Sequence, residues 1–249
     1  LARSREAATD LIAAGNVLVN GIPASKAATQ VDAETSITLK DDHAEFVSRG
    51  GYKLAGALDK FTQIDVSGKT ALDAGASTGG FTDVLLKRGA SKVVAVDVGY
   101  GQLAWELQKD ERVKILDRVN VRNLTAPQVG EEIDLVVADL SFISLKLVLP
   151  ALISVAKEGA DFLIMVKPQF EVGKEKLGAG GVVRDVHLRK EAVVEVANAA
   201  FALTLGTLGV VASPLPGPSG NVEYFLWLRK GAPALLEVDL DLAIEKGPA

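Results

Sequence analysis

Four runs of the 249-residue chain are too apolar to lie half-exposed in a sheet: TALDAG from residue 70, KVVAVDV from 92, DLVVAD from 134 and DFLIMV from 161. A strand with apolar residues at successive positions needs cover on both faces, which is the pattern of a parallel sheet between helix layers. Helical spacing fills the gaps, with helices predicted over 79–89, around 102–109, over 145–157 and over 186–205, and VKILD adds another strand. Such alternation predicts an α/β doubly wound sheet. Two further strands, VVASPL and VEYFLWLR, are joined only by PGPSGN, too short for a parallel crossover, so this pair is expected antiparallel. The predicted sheet is therefore seven-stranded and mostly parallel, with one antiparallel strand.

A smaller α+β piece precedes it. Residues 3–14 have helical spacing closed by Gly15-Asn16, VLVNGIPA forms a hairpin about Asn20-Gly21, and TSITLK alternates like a strand. The expected division is a small domain over 1–45, a linker over 46–52 and the α/β domain over 53–249. From pattern alone, the small piece could equally cap folding or mediate oligomerisation.

The chain has no cysteine and its two histidines, His43 and His187, are far apart, so disulfides, thiolate sites and a histidine metal cluster are not expected. No apolar run reaches the 18 residues or so that span a bilayer. The start, LARSREAATDL, has neither an initiator methionine nor a secretory pattern, so an upstream natural start and a cytoplasmic location are expected. A net charge of −5 argues weakly against a nucleic-acid partner, but residues 167–190 carry six Lys/Arg against three Asp/Glu, so the average does not decide.

Ligands of such sheets sit at the carboxyl ends of the strands. The first ends in DAGASTGGF, where Asp73, Gly75, Ala76, Ser77, Gly79, Gly80 and Phe81 make a glycine-rich turn into a helix. Asp97 follows 22 residues after Gly75, placed for two ribose hydroxyls. A dinucleotide site favours G-x-G-x-x-G. The spacing here, G-x-x-x-G-G, leaves room for an amino-acid moiety and suits S-adenosylmethionine, with a dinucleotide or a ligand-free turn as alternatives. Asp117 and Asn120, after the third strand, are candidates for the adenine side.

The fourth strand ends in Asp139 and the fifth in Lys167, while Glu223 opens the seventh and Lys53 lies on the helix ahead of the first. A lone lysine at a strand end is ordinarily a solvated snorkel. Two lysines and two acids converging on one cleft suit methylation of a hydroxyl, which requires alignment with a sulfonium and loss of a proton. A lysine base must be held neutral against an ordinary pKa of about 10.4. Burial, the second lysine and a cationic cofactor favour that, whereas Asp139 and Glu223 oppose it and better orient the lysines.

Together, DAGASTGGFT, DVGYGQLAW, ADLSFIS, VKPQFEVG and SPLPGPSGNVEYFLWL resemble the TlyA family of ribosomal RNA 2′-O-methyltransferases, whose catalytic domain is similar to the FtsJ/RrmJ methyltransferases. The resemblance implies a Rossmann-like SAM-dependent methyltransferase fold, a catalytic tetrad of Lys53, Asp139, Lys167 and Glu223, and S-adenosylmethionine as cofactor. It also implies methylation of cytidine in 23S and, for longer members, 16S RNA within ribosomal subunits, with effects on capreomycin and viomycin susceptibility. LARSREAATDLIAAGNVLVNG resembles an S4 RNA-binding domain lacking its usual first helix, so upstream RNA contacts are expected outside the chain. A non-catalytic assembly factor and a haemolysin, an older label in the family, are the alternatives.

By the same resemblance Arg3, Arg5, Lys26, Arg49 and, in the 174–190 loop, Lys174, Lys176, Arg184 and Arg189 would face RNA. That loop is either a lid or a solvated connection. Phe142 could stack on a displaced base or belong to the core. Arg49-Gly50-Gly51 either couples RNA binding to cofactor binding or is a plain hinge.

Overall fold

The computed structural model describes all residues except 1–4, 14, 21, 25, 29, 33–34, 40–44, 218 and 248–249; the side chains of 5–7, 10, 22, 174 and 179 also lie outside the description. The chain divides into two units, residues 1–45 and 46–249.

The first unit holds α1 (Arg5–Ala13), β1 (Val17–Val19), β2 (Ile22–Pro23) and β3 (Ile37–Leu39), the strands forming an antiparallel sheet in the order β2-β1-β3. Gly15, at φ 73°, ends the helix, and its amide and that of Asn16 satisfy the carbonyls of Ile12 and Leu11. Asn20 turns the hairpin at φ 51°; the expected Gly21 is outside the described residues. The Asn20 side chain accepts the Ser36 amide at 2.9 Å, tying the third strand to the hairpin.

The second unit runs α2 (Arg49–Lys60), β4 (Thr70–Ala74), α3 (Gly80–Lys87), β5 (Lys92–Val96), α4 (Trp105–Gln108), β6 (Val113–Leu116), α5 (Ala126–Val129), β7 (Ile133–Ala138), α6 (Leu149–Val155), β8 (Ala156–Val166), α7 (Val186–Ala202), β9 (Leu205–Ala212), β10 (Tyr224–Lys230) and α8 (Glu237–Glu245). Its seven strands lie in the order β6-β5-β4-β7-β8-β10-β9. The ladders from β6 to β8 are parallel, and β10 enters antiparallel between β8 and β9. The short connection from β9 to β10 imposes that direction, as the sequence predicts.

Period-two alternation divides each central strand between two cores. Phe162, Ile164 and Val166 of β8 join Tyr224, Leu226 and Leu228 of β10 in one core, roofed by α6, α7 and α8. Leu163 and Met165 join Phe225 and Trp227 in the other, roofed by α2 and α3. Two predicted boundaries shift. The helix expected over 145–157 is an α-helix only over Leu149–Val155, and β8 begins at once with Ala156. Residues 46–52, expected as a linker, belong to the second unit: Phe46 is buried in its core, and α2 starts at Arg49.

Registry carries the candidate site residues of four strands to one edge. Ala74 pairs Ala138 between β4 and β7, so the next residues, Gly75 and Asp139, leave the sheet side by side. Tyr224 pairs Val166 between β10 and β8, and one step further Glu223 faces Lys167.

The middle of β8 is fixed by charge. Buried Asp161 accepts from Trp227 Nε1 at 2.8 Å and from Arg229 Nε and Nη2 at 2.9 and 2.7 Å, with Lys69 Nζ at 3.4 Å. Asp161→Ala leaves a buried indole N–H unpaired and a half-exposed guanidinium without its acceptor. A loss of about 2–3 kcal/mol is expected, read as a lowered urea midpoint with unchanged slope.

Candidate active site

The turn after β4 closes because glycines permit contacts that a side chain forbids. Gly75 stands at φ 89°, and a Cβ there would lie 2.5 Å from the Asp139 carbonyl oxygen. A Cβ on Gly80 would lie 2.2 Å from Ser48 Oγ and 2.7 Å from the Gly51 amide, so the N-termini of α2 and α3 meet only because Gly80 lacks one. Between these turns lies a pocket of about 230 Å³, whose walls include Arg49, Gly50, Lys53, Gly75, Phe81, Asp139 and Lys167. That is short of the roughly 300 Å³ at which small-ligand pockets begin, room for part of a nucleoside cofactor.

Asp73 is fully buried behind the turn. It accepts from Thr82 Oγ1 at 2.7 Å, and its other oxygen is enclosed with no hydrogen-bond partner. Burial pushes its pKa up from 3.8 to about 7, with the Thr82 hydrogen bond opposing and the charges of Asp139 and Asp97 adding to the rise. Asp97 is committed to the turn itself, accepting the Ser77 amide at 2.8 Å and the Gly99 amide at 2.7 Å. Asp117 likewise accepts the Gly101 amide and Asn120 caps its own short helix through the Arg122 amide. None of these three lines the 230 Å³ pocket; they shape the loops along its β5–β6 side.

The four candidate reactive groups form two pairs. Lys53 Nζ lies 2.6 Å from Glu223 Oε2, both side chains buried. Lys167 Nζ lies 2.5 Å from Asp139 Oδ1, off the direction of a hydrogen bond, and donates to Ser141 Oγ at 2.9 Å. Gln169 Nε2 approaches Glu223 Oε1 at 3.5 Å. A second cavity, of about 830 Å³ and with Phe142, Ile143, Phe170 and Leu177 in its wall, meets the first at Ser141 and Lys167.

Sequence patterns did not single out Ser141, Gln169 or Glu171. The Glu171 carboxylate accepts from Ser144 Oγ at 2.6 Å and the Leu145 amide at 2.8 Å, pinning the loop after β7 to the turn after β8. Burial raises its pKa against those two hydrogen bonds. Phe142, on the pinned loop, is 90% exposed at φ 63°, a backbone conformation that costs a bulky residue about 1–3 kcal/mol. It is not core; its ring leans on Phe170, with centroids 5.0 Å apart.

The candidate RNA contacts are dispersed. Arg49 is exposed at the pocket rim, its Nη2 3.5 Å from the Pro216 carbonyl. Lys26 and Arg184 are exposed, and Lys176 is exposed and paired with Glu191 at 3.0 Å. Arg189 departs from the expectation: it is half-buried with its Nε enclosed, and its guanidinium faces the buried Tyr224 hydroxyl. Arg3 and the side chains of Arg5 and Lys174 lie outside the described residues.

Strand order, the glycine turn and the paired lysines define the class, an α/β methyltransferase. The FtsJ-like methyltransferase family matches residues 46–230 and the S4 domain family residues 1–37. The 16S/23S rRNA (cytidine-2′-O)-methyltransferase TlyA of Mycobacterium tuberculosis is 56% identical over 254 residues, covering 100% of this chain and 94% of that protein. Hemolysin A of Brachyspira hyodysenteriae is 37% identical, over 89% of this chain and 92% of its own. The solved structure of a hemolysin-designated protein from Streptococcus thermophilus aligns at TM-score 0.81 and 36% identity, over 98% of this chain and 90% of that one. The chain belongs to the TlyA family of FtsJ-like methyltransferases. Among the described residues, no helix is long and apolar enough to cross a membrane.

Asp73 gives the site a pH signature. Its folded pKa of about 7 exceeds the ordinary 3.8, so the folded state binds more protons than the unfolded chain between those values. The contribution to stability is fully present below the lower value and is lost as pH rises through the upper. Asp73→Asn should flatten this: the drop in urea midpoint between pH 5 and pH 8 should be smaller in the variant than in the parent.

Proposed function

We propose that the protein transfers the methyl group of S-adenosylmethionine to the ribose 2′-hydroxyl of cytidine in ribosomal RNA, acting on 23S and 16S RNA within ribosomal subunits in the cytoplasm. The supporting observation is the meeting of two cavities at Lys167, one bounded by the glycine turn and one by exposed Phe142. The name carried by the 56% identical relative and the S4 match favour RNA over a small-molecule acceptor.

The cofactor fits the cleft by charge. The charges of Asp139 and Asp97 both press on Asp73 behind the turn, and a sulfonium cation in the cleft beside Asp139 offsets that excess of negative charge. The N-terminus of twelve-residue α2, whose Arg49 and Gly50 line the pocket, offers free amides and a positive dipole end to the amino-acid carboxylate. When bound, the cofactor supplies an electrophilic methyl group.

In this reading the chain supplies alignment and a place for the proton. Lys167 holds the attacking hydroxyl and takes its proton, with Asp139 fixing where the amine stands. Glu223, 1% exposed, keeps Lys53 over the cleft. Phe142 stacks on the base, presented by the loop that Glu171 pins and by its contact with Phe170. Arg3, Arg5, Lys26, Arg49, Lys174, Lys176 and Arg184 meet phosphates.

Isolated ribosomal subunits incubated with the protein and tritiated S-adenosylmethionine should acquire label in rRNA, at a cytidine 2′-oxygen mapped by reverse-transcription stops at low dNTP. Absence of label while the cofactor still binds refutes the reading. Lys167→Ala should lower the transfer rate by about 10² or more, with cofactor affinity changed no more than severalfold. Transfer that survives removes Lys167 from the chemistry.

A further inference from the structure

Lysine at a strand end has four side-chain torsions, so proximity alone does not aim its amine. Lys167 Nζ stands 2.5 Å from Asp139 Oδ1, but that oxygen lies off the hydrogen-bonding direction. The ion pair therefore fixes where the nitrogen is and leaves its rotation open. The directional contact is the hydrogen bond to Ser141 Oγ at 2.9 Å. With one tetrahedral position held by Ser141 and one side taken by Asp139, one position of the amine remains for an acceptor, and Lys167 stands where the two cavities meet. Ser141 and Lys167 are the residues common to both walls.

We infer that Ser141 is a positioning residue: its hydroxyl sets the rotation of the Lys167 amine so that the third position meets the acceptor hydroxyl. The inference rests on the methyltransferase reading above. The loop bearing Ser141 is secured without it. Its start is held by the Asp139 amide donating to the Ala74 carbonyl at 3.0 Å. Its far end is held by Glu171 through Ser144 and Leu145. Removing the hydroxyl thus leaves the loop in place and frees only the amine. Ser141 itself is exposed, so a methyl added at its Cβ meets solvent rather than core.

The test compares the parent chain with Ser141→Ala and Ser141→Thr, using subunit RNA as acceptor. Ser141→Ala should lower kcat about 10- to 100-fold, while the KM for RNA and the Kd for S-adenosylmethionine stay within about twofold. Its kcat–pH profile should shift, because the amine has lost a hydrogen-bond acceptor. Ser141→Thr, which keeps the hydroxyl, should recover most of the rate and the parent profile. A Ser141→Ala protein with the parent's kcat and profile overturns the assignment, as do Ala and Thr variants equally slow and equally weakened in cofactor binding. A parent that binds cofactor but methylates no RNA overturns the reaction class and this assignment with it. An active parent matched by its alanine variant overturns this assignment alone.

Discussion

The ion pair between Lys53 and Glu223 is the constraint on which the cleft depends. Its partners are separated by 170 residues, and their nitrogen and oxygen lie 2.6 Å apart with almost no water around them. Removing two charges from water costs several kcal/mol per ion, and the attraction between them repays it only when the geometry is close. Removing one partner leaves the other buried and uncompensated. The pair therefore acts less as a source of stability than as a condition on shape: α2 and the entry to β10 must meet wherever the fold is complete. Because α2 also forms the rim beside Asp139, that condition closes the pocket around the glycine turn.

The antiparallel strand gives the condition its geometry. A parallel β10 would place its carboxyl end at this edge, and residue 223 would lie at the far side of the sheet. Running antiparallel, β10 begins where β8 ends, so Glu223 and Lys167 arrive together although their strands run in opposite directions. The same edge receives Gly75 and Asp139 from β4 and β7. Three polar side chains, Asp139, Lys167 and Glu223, thus meet at strand ends, and their separation in sequence has no bearing on their separation in space.

This explains what was legible in the sequence. Strands buried on both faces announce themselves as unbroken apolar runs, so the sheet, its antiparallel member and the residues at its edge could be read from LIMVK, VVAD and VEYF. The linker expectation failed for a local reason. SRGG reads as a break, but a Cβ on Gly51 would lie 2.4 Å from Phe46 Cβ, so that glycine marks close packing rather than a loose joint. Asp97 was legible as a strand-end carboxylate, but not that one of its oxygens is held by the Gly99 amide of its own turn and the other by the Ser77 amide of the glycine turn. Ser141 and Glu171 carried no signal, because a serine or glutamate beside a motif is commonplace and only the fold brings Glu171 to Ser144. Glu171 lies four residues after Lys167, on a turn that folds back over the preceding strand end.

The electrostatics of the second unit bear on how an acidic chain handles a polyanion. Several basic side chains of the unit are matched to acids: Lys176 to Glu191, Lys190 to Glu237 and Asp241, and Lys146 to Glu195. These pairs are largely exposed, and ion pairs in water are weak, so the carboxylates hold the lysines without committing them. The buried pairs obey the opposite rule. Lys53 cannot leave Glu223 without stranding a charge, whereas Lys176 can exchange a carboxylate for a phosphate at little cost. Net charge therefore predicts little here. What separates the two sets of lysines is the water around them: the sealed ones are fixed in place, and the wet ones are free to change partners.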